Sequence, residues 1–481
     1  MPEGLAQLGF NYTDVEICCE GDMPKKDDII ELTIDSLAYG GAGVGKVDGF
    51  PVFVDDSAPE DVLKVKITSN RDTYAWAEIV EVVTPSPFRV EPECAMLKVC
   101  GGCNWQHVEY GEQLNAKKKI VEDNIRKISG LDIPVREVIP SDQIYKYRCK
   151  IQNPVQQTQV SKRFLLGYYK HGSHDLVNIK YCPIQPDIIG EITEYIRNKG
   201  QELGLSGYDE NRKCGLLRHV VFRYSMTNEN LLVIFVVNSD KAGDNLVRLA
   251  RAVRNEFPEV VGALVNFNLR HTNVIFGDKT VLIDGQDYVE ENLEGRLYRI
   301  SAGSFFQVNP RSAVKMFNTV RDMIVARKLE NPSILDVYAG VGSFAIWLKD
   351  IASTMTAIEE YPRAVADAKI NMTLNEGING APIKFIEGNA DKILESMART
   401  GKKFDVLVLD PPRKGCVKGA LEAAAILAEK NIIYVSCNPA TLARDLKILD
   451  DLGFSTEYVQ PVDMFCHTYH VESIALLSRR L

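Results

Sequence analysis

Short segments with alternating apolar and polar residues, or with several glycines, fill the chain from about residue 28 to residue 83. They lie at 29–34, 37–46, 51–54, 62–67 and 74–83. Alternation with period two turns one side of a segment toward a core and the other toward water, as in a strand. About five short strands within roughly sixty residues predict a small closed β-barrel of the OB type over residues 23–83. Residues 1–22 lack this pattern and are predicted to be a weakly structured lead-in.

From residue 84 to residue 300 the pattern changes to a mixture of strands and helices. Helical spacing of apolar residues predicts a helix over 110–129. Strand-like runs lie at 164–169, 220–223, 231–237 and 263–268. Because strands outnumber helices, we expect a central antiparallel α+β domain over residues 84–300.

The remaining residues, 301–481, repeat a unit of apolar strand, polar turn and helix. Unbroken apolar runs such as 404–409 and 432–435 are typical of strands in a parallel sheet that is covered on both faces. The repeat predicts a Rossmann-like domain, in which ligands bind at the carboxyl edge of the strands. The whole chain is therefore expected to be a multidomain α/β protein.

Composition and charge narrow the class of protein. The chain has 481 residues, of which 45% are hydrophobic and 25% charged, as in ordinary globular proteins. Its net charge of −9 argues mildly against a nucleic-acid partner, although local basic patches can bind RNA. No apolar run approaches the ~20 residues of a membrane span, and the N-terminus lacks a secretion signal. We expect a cytoplasmic protein without membrane contact, and nothing indicates an obligate protein partner.

Basic and aromatic residues are interleaved in the barrel and in the central region, which suits phosphate contact and base stacking. An amphipathic sheet surface would give the same pattern, so both interpretations stay open. The residues are Lys64, Lys66, Arg71, Tyr74 and Trp76 in the barrel, and Tyr145, Lys146, Tyr147, Arg148, Lys150, Lys162, Arg163, Tyr168, Tyr169, Lys170 and His171 in the central region.

Four of the eleven cysteines are candidate metal ligands. Cys94, Cys100 and Cys103 lie close together, and Cys182 is the fourth candidate. A disulfide framework is not expected without a secretion signal. Four thiolates can hold a zinc ion or an iron–sulfur cluster, and spacing alone does not choose between them. A redox C-x-x-C pair is a further option, but it would not need Cys94.

Cys437 lies where a predicted strand meets a predicted helix. The strand ends at Ser436, Asn438 can cap the helix, and Pro439 suits its first position. A helix N-terminus lowers the pKa of a thiol, so Cys437 is a candidate nucleophile. The alternative is a buried packing cysteine.

A glycine loop follows the first strand of the C-terminal third. Gly340 and Gly342 lie in it, and Glu359, at the end of the next strand, can accept hydrogen bonds from ribose hydroxyls. Asn389 falls where a third strand would end. A nicotinamide cofactor fits this motif alone. However, the fourth strand ends in Asp-Pro-Pro-Arg at 410–413, a turn typical of S-adenosylmethionine enzymes that act on nucleobases.

Four motifs together resemble those of the RNA 5-methyluridine (uracil-5-)methyltransferases. They are F-F-Q-V-N at 305–309, D-P-P-R at 410–413, S-C-N-P-A-T-L-A-R-D at 436–445 and D-M-F-C-H-T-Y-H-V-E at 463–472. Cys466 departs from the family, which usually has Pro there. The stretch 37–45 resembles a TRAM domain, an RNA-binding barrel. The cysteine spacing resembles that of the subgroup with a [4Fe–4S] cluster, which methylates 23S ribosomal RNA.

The resemblance implies the roles of the site residues. Cys437 would be the nucleophile, Glu472 the base, and Phe305 would stack on the target base. S-adenosylmethionine would contact Gln307, Tyr338, Gly340, Ser343, Glu359, Asn389 and Asp410. Asp410 could instead bind the uracil edge, and Ser343 stands where some relatives have Asn. The cluster would be held by Cys94, Cys100, Cys103 and Cys182.

We therefore expect methylation of carbon 5 of a uridine in RNA by S-adenosylmethionine. The expected substrate is 23S ribosomal RNA, with tRNA as the alternative. Carbon 5 is a weak nucleophile until a thiolate adds to carbon 6, and a base must later remove the carbon-5 proton. A non-catalytic RNA-binding factor and a nicotinamide-dependent oxidoreductase are the other classes. Cys437, Glu472 and Asp410 argue against the first, and the Asp410 turn against the second.

Overall fold

The computed structural model describes residues 23–480. The predicted lead-in over residues 1–22, with its adjacent pair Cys18 and Cys19, lies outside the described residues. None of the helices between residues 23 and 480 combines the length and the apolar surface that crossing a bilayer requires.

The first sheet forms the predicted small barrel. Its strands run in the order β1-β5-β6-β4-β3-β2, and all neighbours are antiparallel except β4 and β6. The apolar side of the alternation is buried, as Val52, Val65 and Ile67 show, because period two places those residues on the inner face. The strands are β1 (Ile29–Thr33), β2 (Ser36–Leu37), β3 (Gly43–Val47), β4 (Phe50–Val54), β5 (Val62–Asn70) and β6 (Ala75–Thr84).

The central region begins with helix α1 (Tyr110–Asn124), which continues into a π-helical turn at Ile125–Ser129. Its seven-stranded sheet has the order β13-β12-β11-β10-β7-β8-β9, and α2 and α3 cover one face. The predicted α+β character is confirmed, although β11 and β12 are parallel rather than antiparallel. The elements are β7 (Lys150–Gln157), β8 (Phe164–Tyr169), β9 (Leu176–Asn178), α2 (Asp187–Glu202), β10 (Leu217–Ser225), β11 (Asn230–Val237), α3 (Asp244–Glu256), β12 (Val260–Phe267) and β13 (Lys279–Gly285).

A hairpin of β14 (Tyr288–Leu293) and β15 (Arg296–Ser301) links the central sheet to the C-terminal region. Asn375 binds both the N–H and the carbonyl of Leu297, at 3.0 and 2.7 Å, and so holds the hairpin against the C-terminal helices. The apolar side chains of the hairpin belong to the same hydrophobic cluster as the C-terminal sheet. A domain boundary after residue 300 stays a prediction.

The C-terminal region is the predicted Rossmann-like domain. Its sheet has the order β18-β17-β16-β19-β20-β22-β21; the strands from β18 to β20 are parallel, and β22 and β21 are antiparallel to their neighbours. The elements are α4 (Pro310–Val325), β16 (Ser333–Val337), α5 (Ser343–Leu348), β17 (Thr354–Glu359), α6 (Pro362–Leu374), β18 (Ile383–Glu387), α7 (Ala390–Arg399), β19 (Phe404–Leu409), α8 (Lys418–Leu427), β20 (Ala428–Ser436), α9 (Pro439–Asp451), β21 (Phe454–Val462) and β22 (Glu472–Arg479). The carboxyl ends of β16, β17, β19 and β20 meet at one edge of the sheet, where the candidate site residues lie.

Candidate active site

Strand register brings Cys437 and Glu472 together. Ser436 at the end of β20 is paired with Ser473 near the start of antiparallel β22. The next residue on each side is therefore Cys437 and Glu472, which face each other at the end of the pair. Glu472 is 3% exposed, and Cys437 is half-buried. Helix α9 then begins with Asn438 as its cap, whose side chain accepts a hydrogen bond from the Ala440 N–H at 3.1 Å.

The thiol of Cys437 is neutral in the resting site. Burial raises its pKa to about 12; Glu472 and Asp410 add to the rise, and Arg413 opposes it. Burial and the two carboxylates raise the pKa more than Arg413 and the backbone lower it. That the helix N-terminus favours the thiolate stays a prediction. Nucleophilic attack requires a group that accepts the thiol proton.

Buried Glu472 and half-buried Asp410 both act on Cys437 and can accept that proton. Burial, and then the charge of Asp410, raise the pKa of Glu472 well above its ordinary value, whereas Arg413 lowers it. Burial raises the pKa of Asp410 to about 7. Like charges in one site cannot both ionise easily, so near neutral pH the pair holds a shared proton. One carboxyl can act as a base while the other donates a hydrogen bond.

The Asp-Pro-Pro-Arg turn is tied to helix α9. The Arg413 carbonyl accepts hydrogen bonds from the Asn438 side chain at 3.3 Å and from the Thr441 hydroxyl at 3.2 Å. Fully buried Asp445 accepts from the Cys416 N–H at 2.9 Å and from the hydroxyl of Tyr434. The turn that carries Asp410 is thus fixed to the helix that begins after Cys437. Asp445 was not predicted as a site residue. Its sign in the sequence is an acidic residue on the buried face of the predicted helix.

At the glycine loop, Glu359 is oriented by the backbone. Its carboxylate accepts hydrogen bonds from the Gly340 N–H at 2.9 Å and from the Tyr361 N–H at 2.8 Å. Gly340 has a positive φ of 56°, a conformation that suits glycine. On the neighbouring strand end, Asn389 caps α7 and donates to Glu360 at 2.7 Å. These residues form one side of the cleft at the sheet edge.

The other predicted cofactor contacts lie around the same loop. Tyr338 has a positive φ of 64°, and its hydroxyl donates to Asp391 at 2.7 Å, a partner that the sequence argument did not identify. Ser343 opens helix α5. Gln307 is 7% exposed, and its carbonyl accepts from the Cys149 thiol at 3.3 Å. Phe305, two residues earlier, is 60% exposed, as a side chain that stacks on a base must be.

A buried carboxyl group under the glycine loop was also missed. Asp336 is fully buried; one oxygen accepts from the Ala345 N–H at 3.0 Å, and the other has no hydrogen-bond partner among residues 23–480. Burial, and then the charge of Asp410, raise its pKa to about 8. Its signal in the sequence was a lone acidic residue inside an apolar strand just before the glycine loop.

Comparison with known proteins agrees with this geometry. Residues 251–480 match the sequence model of the family described as tRNA (Uracil-5-)-methyltransferase, and residues 27–80 match that of the TRAM domain. An uncharacterized RNA methyltransferase of Bacillus cereus is 36% identical over 456 residues, which are 95% of this chain and 97% of the relative. One from Halalkalibacterium halodurans is 35% identical over 453 residues, 94% of this chain and 97% of the relative.

Among solved structures, the chain is similar to the Pyrococcus abyssi tRNA (uracil-54, C5)-methyltransferase in complex with S-adenosyl-L-homocysteine. The TM-score is 0.73 at 27% identity, over 93% of this chain and 99% of that one. The chain belongs to the RNA (uracil-5-)methyltransferase family. The predicted family, enzyme class, TRAM barrel and S-adenosylmethionine dependence are thereby confirmed.

In this methyltransferase the loop before Glu472, residues 463–470, is anchored on the central region. Asp463 and Lys117 form an ion pair of 2.6 Å with both side chains fully buried, and the Tyr110 hydroxyl donates to Asp463 at 2.8 Å. The His467 carbonyl accepts from the N–H groups of Asn104 and Trp105, at 2.8 and 3.0 Å. Segments far from β22 in the sequence therefore hold the loop 463–470 in place before Glu472.

The four cysteines of the methyltransferase come together from two chain segments. The charges of Cys94, Cys100 and Cys182 all act on Cys103, whose pKa is raised to about 12, chiefly by burial. Within residues 23–480, no three His, Cys, Asp or Glu side chains lie close enough to share one metal ion. Cys103 and Cys182 pack beside Cys466 of the loop, which is fully buried.

Proposed function

We propose that this enzyme methylates carbon 5 of a uridine in RNA through a covalent bond between the Cys437 sulfur and carbon 6 of the base. The observation that carries the proposal is the register that sets Cys437 opposite buried Glu472, with Asp410 acting electrostatically on both. Nucleophile and base must both reach the same small ring, and this arrangement provides them at one strand end.

The reaction begins when the Cys437 thiol gives its proton to the ionised member of the carboxyl pair and the sulfur adds to carbon 6. Addition turns the uracil into an enolate, whose carbon 5 is nucleophilic. Bound S-adenosylmethionine supplies the electrophilic methyl group. The carboxyl pair releases the thiol's proton to solvent, so that Glu472 is ionised again when it removes the carbon-5 proton. The electrons of that C–H bond re-form the C5–C6 double bond as the C6–S bond breaks, and the sulfur leaves as a thiolate. Asp410 is placed to hold the uracil edge or to share the proton with Glu472.

The residues at the sheet edge fit a nucleoside cofactor. Glu359 is held by two backbone N–H groups at the carboxyl end of β17, where ribose hydroxyls can bind it. We assign Tyr338, Gly340, Ser343 and Asn389 to the same site because they lie in the glycine loop or at the adjoining strand ends. Gln307 is assigned to it from the family resemblance. Phe305 is assigned to the target base because its ring is exposed.

Covalent trapping tests the proposal. Transcripts of 23S ribosomal RNA and of tRNA made with 5-fluorouridine should form a stable adduct with the enzyme and S-adenosylmethionine, because fluorine cannot leave carbon 5 as a proton does. A denaturing gel shows the adduct as a slower band. Cys437→Ala should give no band, whereas Cys214→Ala, at an exposed cysteine outside the site, should match wild type. No band with the wild-type enzyme and either RNA would refute the covalent mechanism.

We also propose that Cys94, Cys100, Cys103 and Cys182 hold a [4Fe–4S] cluster. The four thiols interact electrostatically, but they are too far apart to bind one metal ion together. Thiolates that hold a four-iron cluster lie farther apart than thiolates around one zinc ion, so this spacing favours a cluster. Iron, sulfide and the visible spectrum of anaerobically purified protein test this assignment. Cys103→Ser should lose iron and Cys214→Ser should keep it; stoichiometric zinc instead of iron would overturn the assignment.

The proposed substrate is 23S ribosomal RNA, supported by the resemblance of the cysteine spacing to the subgroup that methylates it. A second candidate is tRNA, because the similar archaeal structure is named as a tRNA (uracil-54, C5)-methyltransferase and covers 93% of this chain. Mapping 5-methyluridine in both RNAs from a strain that lacks the gene distinguishes the two. Loss from tRNA alone would overturn the ribosomal assignment.

A further inference from the structure

A side chain of the TRAM barrel lies against the loop 463–470, which precedes Glu472 and is called the catalytic loop below. The Tyr39 ring, in the turn between β2 and β3, contacts the Tyr469 ring edge to face, with centroids 4.9 Å apart. The His470 ring lies 6.5 Å from Tyr39 and 4.2 Å from Tyr469. Since His470 is two residues before Glu472, the barrel reaches the entrance of the catalytic site.

The docking of this barrel turn is specific. The Gly41 carbonyl accepts a hydrogen bond of 2.8 Å from the indole N–H of Trp105, and a Cβ on Gly41 would lie 2.7 Å from the Asn104 side chain. The N–H groups of Asn104 and Trp105 in turn bind the His467 carbonyl of the catalytic loop. Barrel turn, central segment and catalytic loop thus form three consecutive layers that hold the Tyr39 ring in place.

Tyr39 also lies close enough to the reacting groups to sense their charges. Burial, and then Tyr469, raise the pKa of its phenol; Arg413 lowers it, Cys437 raises it, and the result is about 12. Arg413 and Cys437 both act on the phenol, so Tyr39 lies near the proposed nucleophile. The phenol therefore stays neutral, and the half-buried Tyr39 ring lies on the side of the loop 463–470 that faces Cys437 and Arg413.

We propose that Tyr39 contacts the substrate: with Tyr469 it forms an aromatic wall of the catalytic pocket, against which the nucleotide next to the extruded uridine stacks. An extruded base leaves its neighbour without a stacking partner, and aromatic side chains replace such partners. The barrel would then contribute to the reaction itself in addition to binding RNA elsewhere. This inference rests on the proposed uridine methylation.

The test compares three substitutions of Tyr39 in the full-length enzyme. Adduct formation with the 5-fluorouridine transcripts is timed at saturating RNA, and the RNA concentration for half-maximal rate is measured separately. Tyr39→Ala and Tyr39→Leu should slow adduct formation about 10- to 100-fold at saturating RNA, from the loss of one base–aromatic stack. Tyr39→Phe should stay within about threefold of wild type, because it keeps the ring.

The matched control is Tyr195→Ala. Tyr195 also makes an edge-to-face contact, with Phe257 at 5.5 Å, but lies on helix α2 of the central region. It should leave the saturated rate unchanged, and all variants should bind S-adenosylhomocysteine as wild type does. A wild-type rate for Tyr39→Ala or for Tyr39→Leu would overturn the proposal, as would loss of cofactor binding together with the rate. If wild-type enzyme forms no adduct, the proposed function itself fails.

Discussion

The two sides of the catalytic cleft are built differently. On the proposed cofactor side, Tyr338 to Ser343, Glu359 and Asn389 come from neighbouring strand ends of one parallel sheet, and Gln307 joins them from the segment before α4. The base side consists of Cys437, Asp410, Glu472 and the loop 463–470. Its nucleophile and base come from the same sheet, but the loop is held by Lys117, Asn104 and Trp105 of the central region and touched by Tyr39 of the barrel.

This difference separates binding of the cofactor from the chemistry on the base. Apart from the contact of Gln307 with Cys149, the proposed cofactor side lies within the Rossmann-like domain, whereas the base side is contacted by all three regions. A perturbation of the docking contacts should therefore reduce chemistry on RNA and leave cofactor binding intact.

Glu472→Gln should affect only the base side and have the largest effect. The amide cannot remove the carbon-5 proton, so turnover should fall by roughly 10²–10⁴-fold, the usual contribution of a general base. The methylated RNA should remain attached to Cys437, since the sulfur leaves only after the proton has gone. A denaturing gel with radiolabelled methyl donor and unmodified RNA measures both effects.

The control for Glu472→Gln is Glu457→Gln, at a surface carboxylate paired with Arg327. It should turn over as wild type does and leave no labelled band. Normal turnover of Glu472→Gln would show that another group is the base, and Asp410 would be the next candidate because it acts on Glu472.

Lys117→Met should weaken the base side and leave cofactor binding intact, because Lys117 anchors the loop 463–470 and makes no contact with the proposed reacting groups. It leaves Asp463 as an unpaired buried charge, which typically costs about 3–5 kcal/mol. Lys117 also donates to the Phe465 carbonyl at 3.0 Å, so the loop before Glu472 loses a second anchor. We expect a lower unfolding midpoint and strongly reduced adduct formation, while calorimetric titration with S-adenosylhomocysteine still shows binding.

A double variant tests whether the unpaired charge of Asp463 causes the loss of stability. Lys117→Met with Asp463→Asn removes both charges but keeps an acceptor for the Tyr110 hydroxyl, and it should recover much of the lost stability. Equal destabilisation of the single and double variants would mean that the charge is not what the pair contributes. Loss of cofactor binding in the single variant would contradict the separation of the two sides.

The same division explains what the sequence could and could not predict. Strand ends, glycine loop and helix cap are local features, so the Rossmann-like domain, Cys437 and the position of Glu359 followed from spacing. The roles of Glu472 and Gln307 came from the family resemblance, because nothing local distinguishes a buried Glu at a strand start. The structure adds the register that sets Glu472 opposite Cys437.

The features that were missed depend on contacts distant in sequence or on burial. Lys117 lies in a run of three lysines that gives no sign of full burial, yet it pairs with Asp463 across hundreds of residues. Tyr39 lies in a turn whose sequence indicates only a TRAM barrel. The net rise in the pKa of the Cys437 thiol was not foreseen, because helix position is visible in a sequence, whereas desolvation by the assembled site is not.

Asp336→Asn tests whether the buried carboxyl group under the glycine loop makes the stability of the protein depend on pH. The pKa of Asp336 is raised to about 8 in the folded protein, above its unfolded value near 3.9. The folded state therefore holds the proton more tightly, and stability is lost as pH rises from about 4 to about 8. Wild type should have a lower unfolding midpoint at pH 8 than at pH 5, and Asp336→Asn should show a smaller difference. Equal pH dependence in the two proteins would exclude Asp336 as its source.

Asn389→Ala should have the smallest effect and should be confined to the cofactor side. It removes the cap of α7, worth about 1 kcal/mol, and the hydrogen bond to Glu360. Asn389→Ser keeps a capping oxygen without placing a charge beside Glu360, and it is the matched control for stability. If Asn389 contacts the cofactor, Asn389→Ala should weaken S-adenosylhomocysteine binding several-fold, while adduct formation at saturating cofactor and RNA stays at the wild-type rate. A slower saturated rate would show that the two sides are coupled, because Asn389 follows the edge strand β18, whereas the loop before Glu472 connects β21 and β22 at the other edge of the sheet.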